Sequence, residues 1–215
     1  MDFSGSRLLF LGAHPDDIEL GCGALLAHLA GRAEMWCVTL SDNQKNPRLN
    51  HLVAEHHRSM ERLGIPRAQV QLGPFETREF PRDRQQVLEF LYEWNEKLRP
   101  DVVFAHTRSD IHQDHAVVTA EALRAFRGTT LLGFDVLRSS EGFFPNLLIE
   151  ITEQDVEKKL AALKEYSTYT GRYYFDPMVL RATLVRHGAL AERPYAEGFE
   201  IVRAIGRFVP ARASE

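Results

Sequence analysis

The sequence has few cysteines, no excess of basic residues and no long apolar run, and each shortage excludes a class of protein. Only two cysteines, Cys22 and Cys37, occur in 215 residues, too few for a disulfide framework. Both lie in or beside apolar segments, so we expect two buried free thiols. The net charge of −4 provides no general basic field for nucleic acid or anionic lipid. A small-molecule substrate is therefore favoured over a polymer.

No segment approaches the ~20 apolar residues that span a bilayer. The first seven residues, MDFSGSR, lead directly into a short apolar run. They lack the basic region and the small-residue cleavage site of a secretory signal. These features predict a cytoplasmic chain without a membrane span.

Short apolar runs alternate with segments of helical periodicity along most of the chain. Strands are predicted at 7–12, 35–40, 70–72, 102–105, 130–134, 147–151 and 199–204, and helices at 22–30, 49–63, 82–98, 115–126, 152–166 and 178–190. Alternating strands and helices favour right-handed βαβ units. We therefore predict a single α/β domain over residues 1–215. Its three Rossmann-like layers would be a mostly parallel sheet with helices on both faces, and its active site would lie at the strand C-terminal ends.

Two polar motifs follow two of the predicted strands. The first, at 14–17, reads His-Pro-Asp-Asp, and the second, at 110–115, reads Asp-Ile-His-Gln-Asp-His. Ligands of open α/β sheets bind beyond the carboxyl ends of strands, so both motifs can face one crevice. Crowded carboxylates repel one another unless a cation compensates, which favours a metal site. A single His or Asp would instead be interpreted as solvated or as a helix cap; the joint pattern favours ligation.

The remaining histidines lack such a setting. We expect solvated helix residues at His51, His56 and His57, and structural roles for His28 and His187. His106 stays undecided, because it begins the loop that leads into the second motif.

The two motifs together resemble those of the LmbE-like (PIG-L) zinc de-N-acetylases, which act on N-acetylglucosamine conjugates. Further similarity lies at 58–64 and 195–199. The resemblance implies one zinc ion per chain, held by His14, Asp17 and His115. Position 113 is Gln where relatives often have Pro, which changes no chemical group of the motif.

The resemblance also implies the catalytic residues. Asp16 would be the general base, and protonated His112 would stabilise the oxyanion or protonate the leaving amine. Asp114 would hold His112 in that role and raise its pKa. Two His and one carboxylate leave an open position on zinc, where water acquires a pKa of about 7. We therefore predict that the metal-activated water removes the acetyl group from an N-acetylated amino sugar.

Substrate contacts are predicted at three positions. Relatives use an Arg at the position of Arg58 to contact the sugar or its attached anion. Asp42 lies in a loop that differs from the Gly-Glu-x-Gly loop of thiol-pathway members and is a candidate for a sugar hydroxyl. Arg108 precedes the second motif and is a candidate for a substrate phosphate or carboxylate. Tyr173 and Tyr174 suit a pocket wall or core packing equally well.

Three other functions stay open. Two His and one carboxylate also suit a non-haem Fe(II) enzyme, and a carboxylate-rich site suits a metal-dependent phosphoesterase. A non-catalytic sugar-binding homologue would keep the fold without turnover. The sugar, its aglycone and the choice of divalent ion are left undetermined, and a homo-oligomer is suggested only by analogy with relatives.

Overall fold

The computed structural model describes residues 3–43, 46 and 49–206, and a seven-stranded sheet lies at the centre of this part of the chain. The strands are β1 (Arg7–Gly12), β2 (Glu34–Thr39), β3 (Val70–Leu72), β4 (Val102–His106), β5 (Thr130–Phe134), β6 (Leu147–Glu150) and β7 (Ala196–Arg203). The α-helices are α1 (Asp17–Leu29), α2 (Leu52–Arg62), α3 (Arg84–Leu98), α4 (Gln113–Ala125), α5 (Glu153–Leu163) and α6 (Pro177–Leu190).

The strand order is β3-β2-β1-β4-β5-β7-β6. Neighbouring strands from β3 to β5 are parallel, whereas β7 runs antiparallel to both β5 and β6. The winding direction reverses between β1 and β4, and the crevice at such a reversal is the usual ligand site of an open sheet. The predicted α/β fold with a mostly parallel sheet is confirmed.

Successive residues of β1 face opposite sides of the sheet. Leu8 and Phe10 belong to the core on the side of α1, α2 and α5, whereas Leu9 and Leu11 belong to the core beside α3 and α4. The Phe10 ring stacks on Phe104 of β4 with centroids 4.5 Å apart. Because strands in the middle layer are buried on both faces, their sequences are continuous apolar runs rather than alternating ones.

Two helices begin earlier than predicted. Helix α1 starts at Asp17 rather than at Cys22, and its polar first turn is buried instead of forming a loop. Helix α4 starts at Gln113 rather than at His115, with His112 as its N-cap. The polar residues of both motifs were assigned to loops because they interrupt the apolar periodicity. In the structure Asp17 begins α1, and Asp114 and His115 lie in the first turn of α4.

A buried ion pair crosses the middle of α1. Lys159 Nζ lies 2.7 Å from Glu197 Oε1, and both side chains are almost wholly buried. The ammonium also donates to the Leu20 carbonyl at 2.6 Å, the group that the Ala24 N–H would bond in a regular helix. The Glu197 carboxylate accepts instead from the N–H groups of Ala24 and Leu25 at 2.9 and 2.7 Å. Residues from α5 and β7 therefore fix the course of the helix that starts at the first motif.

Cys22 and Cys37 are both buried and free, as predicted. Burial raises the pKa of each thiol well above its ordinary value, which keeps both groups protonated and unreactive. No helix in the described part of the chain is both long enough and apolar enough to cross a bilayer.

Candidate metal and active site

A tight turn after β1 shapes the first motif. The His14 N–H donates to Asp17 Oδ2 at 2.7 Å, and the Asp17 N–H returns to the His14 carbonyl at 3.3 Å. Asp16, within this turn, has φ of +106°, a left-handed conformation that non-glycine residues rarely adopt. Such strain persists only where the surrounding structure enforces it, and it is concentrated at functional sites.

Three donor atoms from the two motifs form a small triangle. His14 Nδ1 lies 3.5 Å from Asp17 Oδ2 and 3.3 Å from His115 Nε2. His115 Nε2 lies 3.4 Å from Asp17 Oδ2. These are the three residues that the family resemblance implied as metal ligands, and the structure brings them together at the carboxyl ends of β1 and β4.

Each imidazole also forms a hydrogen bond through the ring nitrogen that points away from the triangle, and these bonds determine where the ring protons lie. His115 Nδ1 lies 2.8 Å from Asp110 Oδ2, and His14 Nε2 lies 2.9 Å from Asp114 Oδ2. A carboxylate can only accept, so each ring donates its proton outward. The two nitrogens that face each other then carry lone pairs, beside a third acceptor from Asp17. Three acceptors that converge in this way favour a positive charge between them, either a proton or a metal ion.

The triangle also has the size that a metal requires. Zn²⁺ binds His nitrogen and carboxylate oxygen at about 2.0–2.2 Å, so two ligands of a tetrahedral ion lie about 3.4 Å apart. The three measured edges, 3.3, 3.4 and 3.5 Å, agree with this spacing. The donor set therefore fits a zinc ion without rearrangement of the side chains.

The electrostatics of the metal-free site agree with a cation position. Burial opposes the charge on His14, but hydrogen bonds to Asp114 and Asp17 raise its pKa to about 9. Burial likewise opposes ionisation of Asp17, yet His115, His106 and His14 hold its pKa well below the usual value. The site thus stabilises positive charge at its centre, which a bound metal would supply in place of a proton.

His106, which sequence reasoning left undecided, belongs to the same cluster. Its ring stacks on His115 with centroids 3.8 Å apart, and its Nε2 lies 3.5 Å from Asp17 Oδ2. The same nitrogen accepts the Ala13 N–H at 3.1 Å, so the end of β4 is joined to the turn after β1. Burial, followed by His115, lowers the pKa of His106 well below its ordinary value. The sequence contained one sign of this role: His106 is the last residue of an apolar strand, at the end that faces the crevice.

Asp16 is the buried carboxylate next to the triangle, with 6% of its surface exposed. Burial, and then the neighbouring charges of Asp17 and Glu19, raise its pKa well above that of an ordinary aspartate. Proton transfer is most effective when the pKa of the base lies close to the working pH. Asp16 therefore has the environment of a proton acceptor, in contrast to the strongly ionised Asp17.

The structure corrects the predicted partnership of Asp114 with His112. The Asp114 carboxylate is bonded to His14 and to the Arg78 N–H at 2.6 Å, not to His112. His112 Nδ1 accepts instead from the Asp114 backbone N–H at 3.2 Å, which leaves the ring proton on Nε2. Burial, then the charges of His115 and His14, lower the pKa of His112 to about 4. The Asp114 charge raises the pKa of His112, as predicted, but burial and the two other imidazoles outweigh it.

Asp110 was not assigned a role from the sequence, although it heads the second motif. Its Oδ2 accepts from His115 Nδ1 and from the hydroxyls of Ser139 and Ser140, and its Oδ1 accepts from the His112 N–H at 2.8 Å. A carboxylate that holds a ligating histidine fixes the tautomer and raises the basicity of the ligand. Asp110 is therefore the anchor of the second motif.

We expect the Asp110→Asn substitution to weaken zinc binding by about 10- to 100-fold, because the amide is a poorer acceptor for the His115 N–H. The measurement is competition with a chromophoric chelator. Asp101→Asn is the matched control, since Asp101 accepts the Arg7 N–H at the opposite end of the central strands, away from the site. Equal zinc affinity in Asp110→Asn and wild type would remove this role from Asp110.

Two of the predicted substrate residues are already engaged elsewhere. Arg58 donates to Glu165 Oε2 at 3.1 Å, in the contact between α2 and the segment after α5. Arg108 donates to Glu200 Oε1 at 2.7 Å, beside β7. The structure brings neither guanidinium into contact with the triangle.

Asp42 lies closer to the candidate site. It lines a cleft together with Asn43 and Arg78. The Arg78 backbone also donates to Asp114, so this cleft adjoins the metal triangle. Of the three predicted substrate residues, Asp42 has the position that best suits a contact with a bound sugar.

His56 does not have the solvated position predicted for it. The ring is completely buried, and Nδ1 lies 3.0 Å from Glu19 Oε1 and 2.9 Å from the Tyr166 hydroxyl. Tyr166 donates to the same Glu19 oxygen at 2.6 Å. This network joins α1, α2 and the end of α5 directly behind the first motif. The polar composition of α2 concealed it, because a buried polar network has no apolar periodicity.

Comparison with known proteins places this site in a family. Residues 9–126 match the family described as PIG-L, GlcNAc-PI de-N-acetylase. The chain is 30% identical to the uncharacterized deacetylase YaiS of Escherichia coli (strain K12) over 170 residues, which cover 75% of this chain and 90% of YaiS.

Solved structures show the same fold at lower identity. N,N′-diacetylchitobiose deacetylase of Pyrococcus horikoshii superposes with a TM-score of 0.75 at 18% identity, covering 92% of this chain and 84% of that chain. GalB, the 4-carboxy-2-hydroxymuconate hydratase of Pseudomonas putida KT2440, gives 0.74 at 19% identity, covering 95% and 100%. At these identities the likeness establishes the fold alone. The match over residues 9–126 spans more than half of the chain and contains both motifs, and the chain therefore belongs to the PIG-L family of de-N-acetylases.

Proposed function

We propose that this protein is a zinc-dependent hydrolase that removes the acetyl group from an N-acetylated amino sugar of the N-acetylglucosamine type. The observation that carries the proposal is the triangle of acceptor atoms from His14, Asp17 and His115, with the buried Asp16 beside it. The family description names an N-acetylglucosamine compound, and the Pyrococcus enzyme is named for an acetylated amino sugar. Both names support the same substrate class here.

A zinc ion held by the triangle would lower the pKa of water and polarise the acetamide carbonyl. Asp16 accepts a proton from the attacking water as the new C–O bond forms. When the C–N bond breaks, the same proton passes from Asp16 to the departing nitrogen. The products are acetate and a free amine. The raised pKa of Asp16 suits both halves of this transfer.

We assign His112 the first of its two predicted tasks, stabilisation of the oxyanion, but as a neutral ring rather than an imidazolium. Its Nδ1 accepts a backbone N–H, so the neutral ring presents Nε2–H as a donor. A ring nitrogen of His112 lies within 4.8 Å of the ligand nitrogens of His14 and His115. We assign this N–H to the acyl oxygen, which gains negative charge as water adds, because a fixed donor at that position stabilises the transition state. Asp114 then acts on His14 as the carboxylate that orients a metal ligand.

GalB gives a specific reason for a second candidate function, since its name describes a hydratase on the same fold. A hydratase adds water to a carbon–carbon double bond and releases no acetate. An Fe(II) enzyme or a phosphoesterase would also accept this ligand set, but neither requires a buried carboxylate with a raised pKa beside its ligands. The sequence relationship to YaiS favours deacetylation.

The test is acetate release from a panel of N-acetyl amino sugars, with the free amine measured in the same samples. We expect equal amounts of acetate and amine, loss of turnover after chelation, and recovery when zinc is added. About one zinc per chain should be bound, and His115→Ala should lower that content. Zinc-loaded protein that releases no acetate from any member of the panel would contradict the proposal.

A further inference from the structure

The loop after β5 is tied to the second motif. The hydroxyls of Ser139 and Ser140 donate to Asp110 Oδ2 at 3.0 and 3.2 Å, and the Ile111 N–H donates to the Ser139 carbonyl at 2.9 Å. Arg138 immediately precedes these anchors and is exposed. The backbone next to Arg138 is therefore tied to Asp110, which bonds the proposed ligand His115, while the Arg138 side chain is exposed.

An aromatic cluster lies against Arg138. The guanidinium carbon is 5.6 Å from the centroid of the Tyr174 ring, and Tyr174 packs on Phe175 and Tyr169 at 5.1 and 6.3 Å between centroids. Burial raises the pKa of both Tyr169 and Tyr174 above that of an ordinary tyrosine. Tyr174 therefore connects this aromatic cluster with Arg138, whose loop is tied to the second motif.

Arg138 has no ion-pair partner among the residues that the structure describes. Arg58 and Arg108, by contrast, form ion pairs with Glu165 and Glu200. A guanidinium that rests on an aromatic ring without a carboxylate retains most of its donors for a ligand. Its planar fork matches phosphate and carboxylate oxygens in a bidentate manner.

We propose that Arg138, supported by Tyr174, forms a subsite for an anionic group, phosphate or carboxylate, that is carried by the acetylated amino sugar or by its aglycone. This inference rests on the proposed function and names the charge of its substrate. In this proposal Arg138, which has no ion-pair partner among the described residues, takes the anion-binding role that was expected of Arg108. The Tyr174 ring offers an apolar face for the sugar beside the charged group.

The experiment compares kcat/KM for acetate release from neutral and anionic substrates. N-acetylglucosamine is the neutral sugar, N-acetylglucosamine 6-phosphate and 1-phosphate carry phosphate, and N-acetylmuramic acid carries carboxylate. We expect wild type to prefer at least one anionic substrate by about tenfold or more, since a charge-assisted bidentate contact has about this strength. Which anion is preferred distinguishes phosphate from carboxylate.

The readout in each variant is the ratio of the anionic to the neutral kcat/KM. In Arg138→Gln the ratio should fall by about tenfold or more, mainly through KM, and Arg138→Lys should restore part of it. Arg127→Gln, an exposed arginine after α4 at the opposite edge of the sheet, should keep the wild-type ratio. An unchanged ratio in Arg138→Gln, or a wild type without anionic preference, overturns the inference.

A binding measurement separates this inference from the proposed function. Calorimetry with glucosamine 6-phosphate and with glucosamine needs no turnover. If no sugar of the panel releases acetate, but glucosamine 6-phosphate binds wild type more tightly than Arg138→Gln, the proposed function fails and the anionic subsite stands. Equal binding to both proteins would reject the subsite whatever the outcome for acetate.

Discussion

Asp16→Asn is expected to lower kcat for acetate release by about 100- to 10,000-fold, the usual contribution of a general base, while zinc content stays near that of wild type. The carboxylate is buried beside the triangle but is not one of its three corners, so its loss removes the proton acceptor and leaves the ligands in place. Asparagine is chosen because it tolerates positive φ better than most residues, and Asp16 has φ of +106°. The measurements are kcat and bound zinc on the same preparation.

The neighbouring carboxylate provides the matched control. Asp17→Asn alters a corner of the triangle, so both zinc content and turnover should fall. If Asp16→Asn retained a rate within a few fold of wild type, the base would have to be another group. If it lost zinc as readily as Asp17→Asn, Asp16 would be a ligand rather than a base.

Lys159→Met is expected to lower the free energy of unfolding by about 3–5 kcal/mol, because it leaves the Glu197 carboxylate buried without its counter-ion. For a chain of this length the melting temperature should fall by about 6–20 °C. The loss also frees the Leu20 carbonyl in the middle of α1. The measurement is thermal and urea-induced unfolding of the zinc-free protein, which separates the effect from metal binding.

An exposed pair at a similar distance is the control for this prediction. Arg193 lies 3.1 Å from Glu150, with about half of each side chain exposed, and Arg193→Met should change stability by less than about 1 kcal/mol. The double variant Lys159→Met with Glu197→Gln should recover part of the loss, since it removes both charges. A Lys159→Met protein as stable as Arg193→Met would show that the buried pair contributes nothing.

Periodicity alone predicted most of the fold. Strand β1 and strand β5 have the predicted bounds. Local patterns of this kind were sufficient because the middle layer of the sheet consists of short apolar runs. The insertion of β7 between β5 and β6 was not predictable, since strand order depends on contacts between distant segments.

The candidate site was only partly predictable. The two motifs placed His14, Asp17 and His115 near one another because both follow strands that the fold makes adjacent. The partners of those ligands depend on side-chain directions: the Asp114 carboxylate bonds His14, whereas the resemblance implied His112 as its partner. The role proposed for Arg138 could not be predicted for a different reason. No local pattern distinguishes an ordinary surface arginine from one whose loop is tied to a site.

The insertion of β7 has a consequence for how the protein is made. Strand β6 pairs with β7 and with no other described strand, and the helix that begins at the first motif is anchored by Glu197 of β7. A growing chain on the ribosome therefore contains all three proposed metal ligands long before β7, which anchors α1, has been synthesised. Chains that end between α4 and β7 would carry all three proposed ligands and bind metal poorly.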